Sequence, residues 1–186
     1  CYEPSAESSG ASGLCCVKLS LAADLRPLAK MKYGGKKLYK KIVFVSASGT
    51  CREQMAVAIL EDIGLNRPIE AVARGLVVLF PEPLNQKAEA VMISNGLPVE
   101  GYMSSPLTAE DLKGDPLVLT MEEKQRLKVL EMFPAANSAN VHVLTEFVGD
   151  ELEIIDPYGG TLQMYGLCYE TLVASVRKLV NILNEQ

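Results

Sequence analysis

The chain contains no tryptophan and only one histidine, His142, among its 186 residues. A single histidine argues against a His-rich metal site, and it disfavours hydrolysis by a Ser-His-Asp or Cys-His arrangement. No apolar run approaches the ~18 residues that a membrane-spanning helix requires, so we expect no membrane segment. The first residues also lack the pattern of a secretion signal.

Positive charge is scarce outside the first part of the chain. Residues 1–41 hold eight Lys or Arg against three acidic residues, so the net charge of −5 leaves the remainder at −10. An acidic body argues against nucleic acid as the main partner. With 48% hydrophobic residues, the chain is long enough to bury one core, which predicts one domain.

The cysteines are few and irregularly spaced. They are Cys1, Cys15, Cys16, Cys51 and Cys168. Their odd number indicates a reducing compartment, and we predict a cytoplasmic location. Adjacent cysteines cannot easily share a tetrahedral site, so a metal or redox role for the first three is the less favoured alternative. We predict that residues 1–40 are an extension or basic linker outside the core fold.

The most informative stretch is 41–60, which reads KIVFVSASGTCREQMAVAIL. Residues 42–45 form an apolar, β-branched run typical of a buried strand, and residues 46–50 are small and polar, as in a tight turn. Residues 55–60 are good helix formers. A strand, small loop and helix in this order point backbone amides at an anion, and Arg52 could place its guanidinium on two phosphate oxygens.

Strands alternate with helices along the rest of the chain. This alternation predicts a three-layer α/β/α domain with a four-stranded parallel sheet and a ligand at the carboxyl ends of the strands. Thr108 is the expected cap of a short helix, with Asp111 completing a capping box. Further strands are predicted at 69–72, 117–121 and 140–144, and further helices at 85–95, 122–133 and 161–185.

Two motifs resemble the low-molecular-weight protein-tyrosine phosphatases. That family has a loop C-x-G-N-x-C-R-S-P followed by Met-Ala, and here residues 46–54 read SASGTCREQ before Met55-Ala56. Its second motif, Asp-Pro with an aromatic residue, matches 156–158, which read DPY. The resemblance covers roughly 41–186 and implies the flavodoxin-like topology of that family.

The resemblance also implies roles for individual residues. Ser46 takes the position of the nucleophilic Cys, Asp156 that of the general acid, and Tyr158 would form a wall of the pocket. The phosphate-binding residues would be Ala47, Ser48, Gly49, Thr50, Cys51 and Arg52. The family needs no metal or cofactor, and the implied partner is a phosphorylated protein or peptide, or inorganic phosphate or sulfate. The pattern carries no signal for an oligomeric state.

Serine at position 46 predicts weak or absent hydrolysis, because a hydroxyl needs a neighbouring base whereas a thiol can be tuned to a thiolate. A laboratory Cys-to-Ser trap of an active phosphatase would leave the rest of the loop intact. Here Ser48, Gly49, Glu53 and Gln54 also depart from the family, which favours a naturally divergent member. Glu53 is the least benign of these changes, since it places a carboxylate near a bound dianion. A non-catalytic interaction protein, with Glu53 folded over the loop, is the further alternative.

Substrate preference is left open between two residue types. Thr50 occupies a position where phosphoarginine-specific members of the family carry Thr and tyrosine-specific members carry a bulky aliphatic residue. Gly159-Gly160 also resembles the bacterial arginine-phosphatase branch. Thr50 could equally be a small loop residue without selective meaning. We expect Cys51 to be a small packing residue under the loop, because Ser46 offers it no disulfide partner.

Overall fold

A computed structural model describes residues 37–186, in which strands and helices alternate as the sequence predicts. A 3-10 helix, Ala109–Leu112, precedes the third strand. In chain order the strands and α-helices are β1 Lys41–Ser46, α1 Arg52–Ile63, β2 Glu70–Gly75, α2 Gln86–Ser94, β3 Leu117–Thr120, α3 Glu123–Met132, β4 Val141–Val143, α4 Leu144–Val148 and α5 Leu162–Asn184.

The four strands form one parallel sheet in the order β2-β1-β3-β4. Val43 of β1 pairs with Val72 of β2 on one side and with Val118 of β3 on the other. All strands are parallel, so their carboxyl ends meet at one edge. The loop after Ser46 therefore leaves the sheet at the edge where α/β folds bind their ligands.

The side chains of β1 alternate between two hydrophobic layers. Ile42 and Phe44 pack into the larger layer, which is built mainly from α1, α2 and α5. Val43 and Val45 face the opposite layer, which includes Val129 of α3. Burial on both faces explains why β1 reads as a continuous apolar run rather than an alternating one.

The predicted fold class is confirmed. The helix predicted at 161–185 is present as α5, and it buries a stripe of side chains that are at most 5% exposed, namely Leu172, Val176, Leu179, Val180 and Leu183. The capping box is also present, because the Asp111 carboxylate accepts hydrogen bonds from both the backbone and the hydroxyl of Thr108.

The boundaries differ from the prediction at two places. Strand β2 continues to Gly75 rather than ending near residue 72. The stretch predicted as one strand at 140–144 instead splits into β4 and the short helix α4. Leu144 begins that helix and is as buried as the strand residues before it. The hydrophobic pattern of this short run therefore does not show where the strand ends and the helix begins.

Most of the predicted extension 1–40, with Cys1, Cys15 and Cys16, lies outside the described residues. Its placement outside the core fold stays a prediction. Within residues 37–186, none of the helices combines the length and the apolar character needed to cross a membrane.

Candidate active site

The loop between β1 and α1 turns its carbonyl groups away from its own interior. Those of Ser46 and Ala47 accept hydrogen bonds from the backbone amides of Leu76 and Val77, both at 2.9 Å. The Thr50 carbonyl accepts from the Asn85 amide at 2.9 Å. The Gly49 carbonyl accepts from Gln54 Nε2 at 3.2 Å. With carbonyls directed outward, loop amides are left to face inward, which is the arrangement of an anion cradle.

Two glycines allow this loop to close. Gly49 has φ of 79°, the left-handed conformation that glycine adopts without a steric penalty. Gly75, at the end of β2, lies against the loop so closely that an added Cβ would be 2.7 Å from the carbonyl carbon of Ser48. A side chain at position 75 would therefore push the loop away from β2.

Arg52 is only 2% exposed and is held by three acceptors. Its Nη1 donates to the Ile154 carbonyl at 2.7 Å. Its Nη2 lies 2.7 Å from Glu122 Oε1 and 3.0 Å from Asp156 Oδ2. The guanidinium thus joins the start of α1, the end of β3 and the Asp-Pro motif, and these three contacts use three of its five N–H donors.

Glu53 is turned into the loop and is 0% exposed. Its Oε1 accepts a hydrogen bond from the backbone amide of Cys51 at 2.9 Å, so the carboxyl takes one of the inward-facing amides. Its Oε2 is buried and has no hydrogen-bond partner among residues 37–186. Burial raises the pKa of Glu53, while the Ser46 hydroxyl and the amides that face the carboxyl oppose that increase.

The residue at the nucleophile position faces the interior of the loop. Ser46 is 3% exposed, and its Oγ accepts a hydrogen bond from the Gly49 amide at 3.3 Å. The same hydroxyl faces the Glu53 carboxyl. Position 46 is therefore buried at the base of the loop with one loop amide directed at its hydroxyl, and the Glu53 carboxyl lies close by.

The Asp-Pro motif meets the loop through Arg52. Asp156 is partly exposed, and its Oδ1 accepts a hydrogen bond from the Tyr158 amide at 3.1 Å. The side chain of Tyr158 is 79% exposed. The structure thus brings Asp156 to the same site as Ser46 and Arg52, although they lie far apart in sequence, and leaves Tyr158 at its outer edge.

Glu122 is the main member of the site that the sequence analysis missed. Burial raises the pKa of Glu122, but hydrogen bonds from Lys124 and Arg52 outweigh this effect and hold the pKa below its usual value. Its position in the sequence could have identified it, because Glu122 follows β3 and therefore lies at the same edge of the sheet as the loop. Gln54, whose side chain holds the loop backbone, was noted only as a departure from the family motif.

The thiols near the loop are not poised as nucleophiles. Burial raises the pKa of Cys51, and it raises the pKa of Cys168 to about 12, so both stay protonated near neutral pH. Cys51 packs against the main core and Thr50 is buried, with its hydroxyl 3.0 Å from that of Ser48. Among residues 37–186, no three His, Cys, Asp or Glu side chains group in a way that could hold a metal ion.

Comparisons with solved structures agree with this architecture. The YwlE arginine phosphatase from Geobacillus stearothermophilus is similar, with a TM-score of 0.72, 28% identity and coverage of 78% of this chain and 94% of that chain. A Cys-to-Ser mutant of YwlE arginine phosphatase, with a phosphorylated active site serine, has a TM-score of 0.71 and 28% identity over 78% of this chain and 97% of its own.

Sequence comparisons identify the family directly. The low molecular weight protein-tyrosine-phosphatase PtpB of Staphylococcus aureus is 34% identical over 143 residues, which span 77% of this chain and 99% of that protein. The family model for low molecular weight phosphotyrosine protein phosphatases matches residues 41–186, a range that contains every strand and helix within the described residues 37–186. The chain therefore belongs to the low molecular weight phosphotyrosine protein phosphatase family.

Proposed function

We propose that this protein binds the phosphoryl group of a phosphorylated protein or peptide in loop 46–52 and turns it over slowly or not at all. The supporting observation is the loop geometry, in which four carbonyls point outward and Arg52 and Asp156 lie at the same edge. In this proposal the Arg52 guanidinium and those amides of residues 47–52 that Glu53 leaves free hold the phosphoryl oxygens. Asp156 protonates the leaving group.

Ser46 is the reason for slow turnover. A serine that has taken a phosphoryl group forms an ordinary phosphate ester, which is a much less reactive intermediate than a thiophosphate. The related YwlE mutant with a phosphorylated active site serine supports such a stalled state in this fold. We propose the cytoplasm as the place where this protein meets its phosphorylated partner. A phosphoarginine partner is favoured over phosphotyrosine by Thr50 and by the YwlE relatives.

A second candidate function rests on Glu53. Its carboxyl is buried in the loop and holds the Cys51 amide, as expected of a protein that keeps the scaffold for interactions without binding an anion. Under this alternative the carboxyl replaces the phosphoryl group as the partner of the loop.

Titration calorimetry with sulfate distinguishes these candidates, because sulfate resembles the phosphoryl dianion and cannot react. We expect sulfate to bind the unmodified protein, Arg52→Ala to abolish binding, and Glu53→Ser to strengthen it by removing a carboxyl from the loop. Arg126→Ala is the matched control, since this arginine pairs with Glu123 on α3. Sulfate binding that survives Arg52→Ala would place the anion elsewhere. Absence of binding in both the unmodified protein and Glu53→Ser would favour the interaction protein.

A further inference from the structure

We propose that Glu53 is a catalytic residue, the base that accepts the Ser46 hydroxyl proton when Ser46 attacks a bound phosphoryl group. This inference rests on the proposed function and deepens it, because it supplies the base that a serine at position 46 needs. The chain holds one histidine, His142, whose Nε2 lies 3.3 Å from the Ala139 carbonyl next to β4. A carboxyl inside the loop is therefore the neighbour of Ser46 that has the right chemistry.

The contacts of Glu53 fix one oxygen and leave the other available. Oε1 is held by the Cys51 amide, which anchors the carboxyl inside the loop. Oε2 is buried without a hydrogen-bond partner among the described residues. Ser46 is buried in the same loop, where its Oγ accepts from the Gly49 amide, and its hydroxyl is near enough to the Glu53 carboxyl to oppose the rise in the pKa of that carboxyl. An ionised carboxyl with an unsatisfied buried oxygen is costly, and accepting a proton removes that cost.

The environment of Glu53 makes it a stronger base than an exposed carboxylate. Burial raises its pKa toward the pH at which a general base works best. The neighbouring thiols of Cys51 and Cys168 stay protonated, because burial raises their pKa as well. The charged groups at the same site are Arg52, Glu122 and Asp156, and the two carboxylates are paired with the guanidinium.

Phosphorylation of Ser46 replaces one bond to phosphorus with another. Ser46 Oγ forms a bond to phosphorus, the bond from phosphorus to the leaving group breaks, and the leaving group departs with the electron pair. The Ser46 proton moves to Glu53, which becomes a neutral carboxylic acid. With p-nitrophenyl phosphate the product is p-nitrophenolate, which needs no acid, so this substrate isolates the role of Glu53 from that of Asp156.

The matched variant is Glu53→Gln, whose amide oxygen can still accept the Cys51 hydrogen bond but cannot take a proton. Single-turnover mixing with p-nitrophenyl phosphate, followed by intact-mass spectrometry, measures the rate at which Ser46 is phosphorylated. We expect Glu53→Gln to slow this rate by roughly a hundredfold or more, the usual effect of losing a general base. Sulfate should bind Glu53→Gln at least as tightly as the unmodified protein. Ser46→Ala should take up no phosphoryl group. Glu123→Gln changes a partly exposed carboxyl of α3 that pairs with Arg126, and it should behave like the unmodified protein.

The opposite role for Glu53 predicts the opposite sign. If the carboxyl only repels the dianion, Glu53→Gln would be phosphorylated as fast as the unmodified protein or faster, and the proposal would be overturned. Sulfate binding without any phosphorylation of Ser46 in the unmodified protein would also overturn it, while leaving the proposed binding function intact. Loss of sulfate binding in the unmodified protein would remove both.

A pH profile tests the proposal without any variant, should Glu53→Gln not fold. The phosphorylation rate of the unmodified protein should rise with pH as Glu53 loses its proton, and the rise should lie above the pH range in which an exposed glutamate titrates, because burial raises the pKa of Glu53. Where Glu53→Gln is folded, its profile should lack this rise. A rate in the unmodified protein that is flat or falls with pH would contradict a carboxylate base.

Discussion

Restoring the family nucleophile with Ser46→Cys should recover only a fraction of the phosphatase activity, because the new thiolate would face the buried Glu53 carboxyl. As an upper limit, two unit charges about 4 Å apart at an effective dielectric constant of about 20 repel by ~4 kcal/mol, and uptake of a proton by Glu53, whose pKa burial raises, reduces this repulsion. At 1.36 kcal/mol per pKa unit, this upper limit corresponds to a thiol pKa about three units higher than in a loop without the carboxylate. The thiolate fraction near neutral pH then falls by up to about a thousandfold.

The double variant Ser46→Cys/Glu53→Ser removes this repulsion and provides a hydroxyl beside the thiol. We expect its kcat/KM for p-nitrophenyl phosphate to exceed that of Ser46→Cys by about a hundredfold to a thousandfold. The pH dependence of iodoacetamide alkylation of the thiol introduced at position 46 should show a lower pKa in the double variant. Full family activity in Ser46→Cys alone, with no gain from Glu53→Ser, would refute this view of Glu53. It would instead fit a loop changed in the laboratory at one position.

Two further predictions concern the free energy of unfolding, one for the buried carboxylate of Asp111 and one for the packing of α5. Burial raises the pKa of Asp111, but hydrogen bonds from Arg74 and Thr108 outweigh this effect and lower the pKa to about 2. The stabilisation from its charge is therefore complete above about pH 4, the unfolded pKa, and is lost as the pH falls toward 2. Asp111→Asn should lower the free energy of unfolding, measured with urea, by about 1.5–3 kcal/mol at pH 7, and it should weaken the loss of stability below about pH 4. If the variant loses stability at acid pH as steeply as the unmodified protein does, Asp111 is not the group responsible. Leu172→Ala should cost about 2–5 kcal/mol because this side chain is 0% exposed. The control Leu167→Ala, with 62% exposure on the same helix, should change stability by less than about 0.5 kcal/mol, and equal effects of the two would argue against the packing of α5.

The fold could be predicted because its signals are local and repeated. The apolar run of β1, the small residues after it and the one-sided stripe of α5 each specify an element without help from distant residues. The short helix α4 could not be predicted, since five residues between a strand and a glycine give no helical period.

The sequence predicted which residues form the site, but it did not predict which side chains pair with one another. The motifs identified Ser46, Arg52 and Asp156, yet the partner of Arg52 at Glu122 lies 70 positions along the chain and depends on the strand order. The role of Glu53 was also left open between a carboxylate that lies near a bound dianion and one that folds over an empty loop. Its hydrogen bond to the Cys51 amide is local, but its complete burial depends on how the rest of the protein packs around the loop, which the sequence pattern does not specify.

The most direct test of the account is the stoichiometry of product released by the unmodified protein. Excess p-nitrophenyl phosphate would be mixed with the protein, and released p-nitrophenolate would be compared with the protein concentration while intact mass is followed. Slow or absent turnover at a serine nucleophile predicts no more than about one product molecule per chain, with any phosphoryl group retained on Ser46. Sustained release of many product molecules per chain, absent from the Ser46→Ala variant, would contradict it.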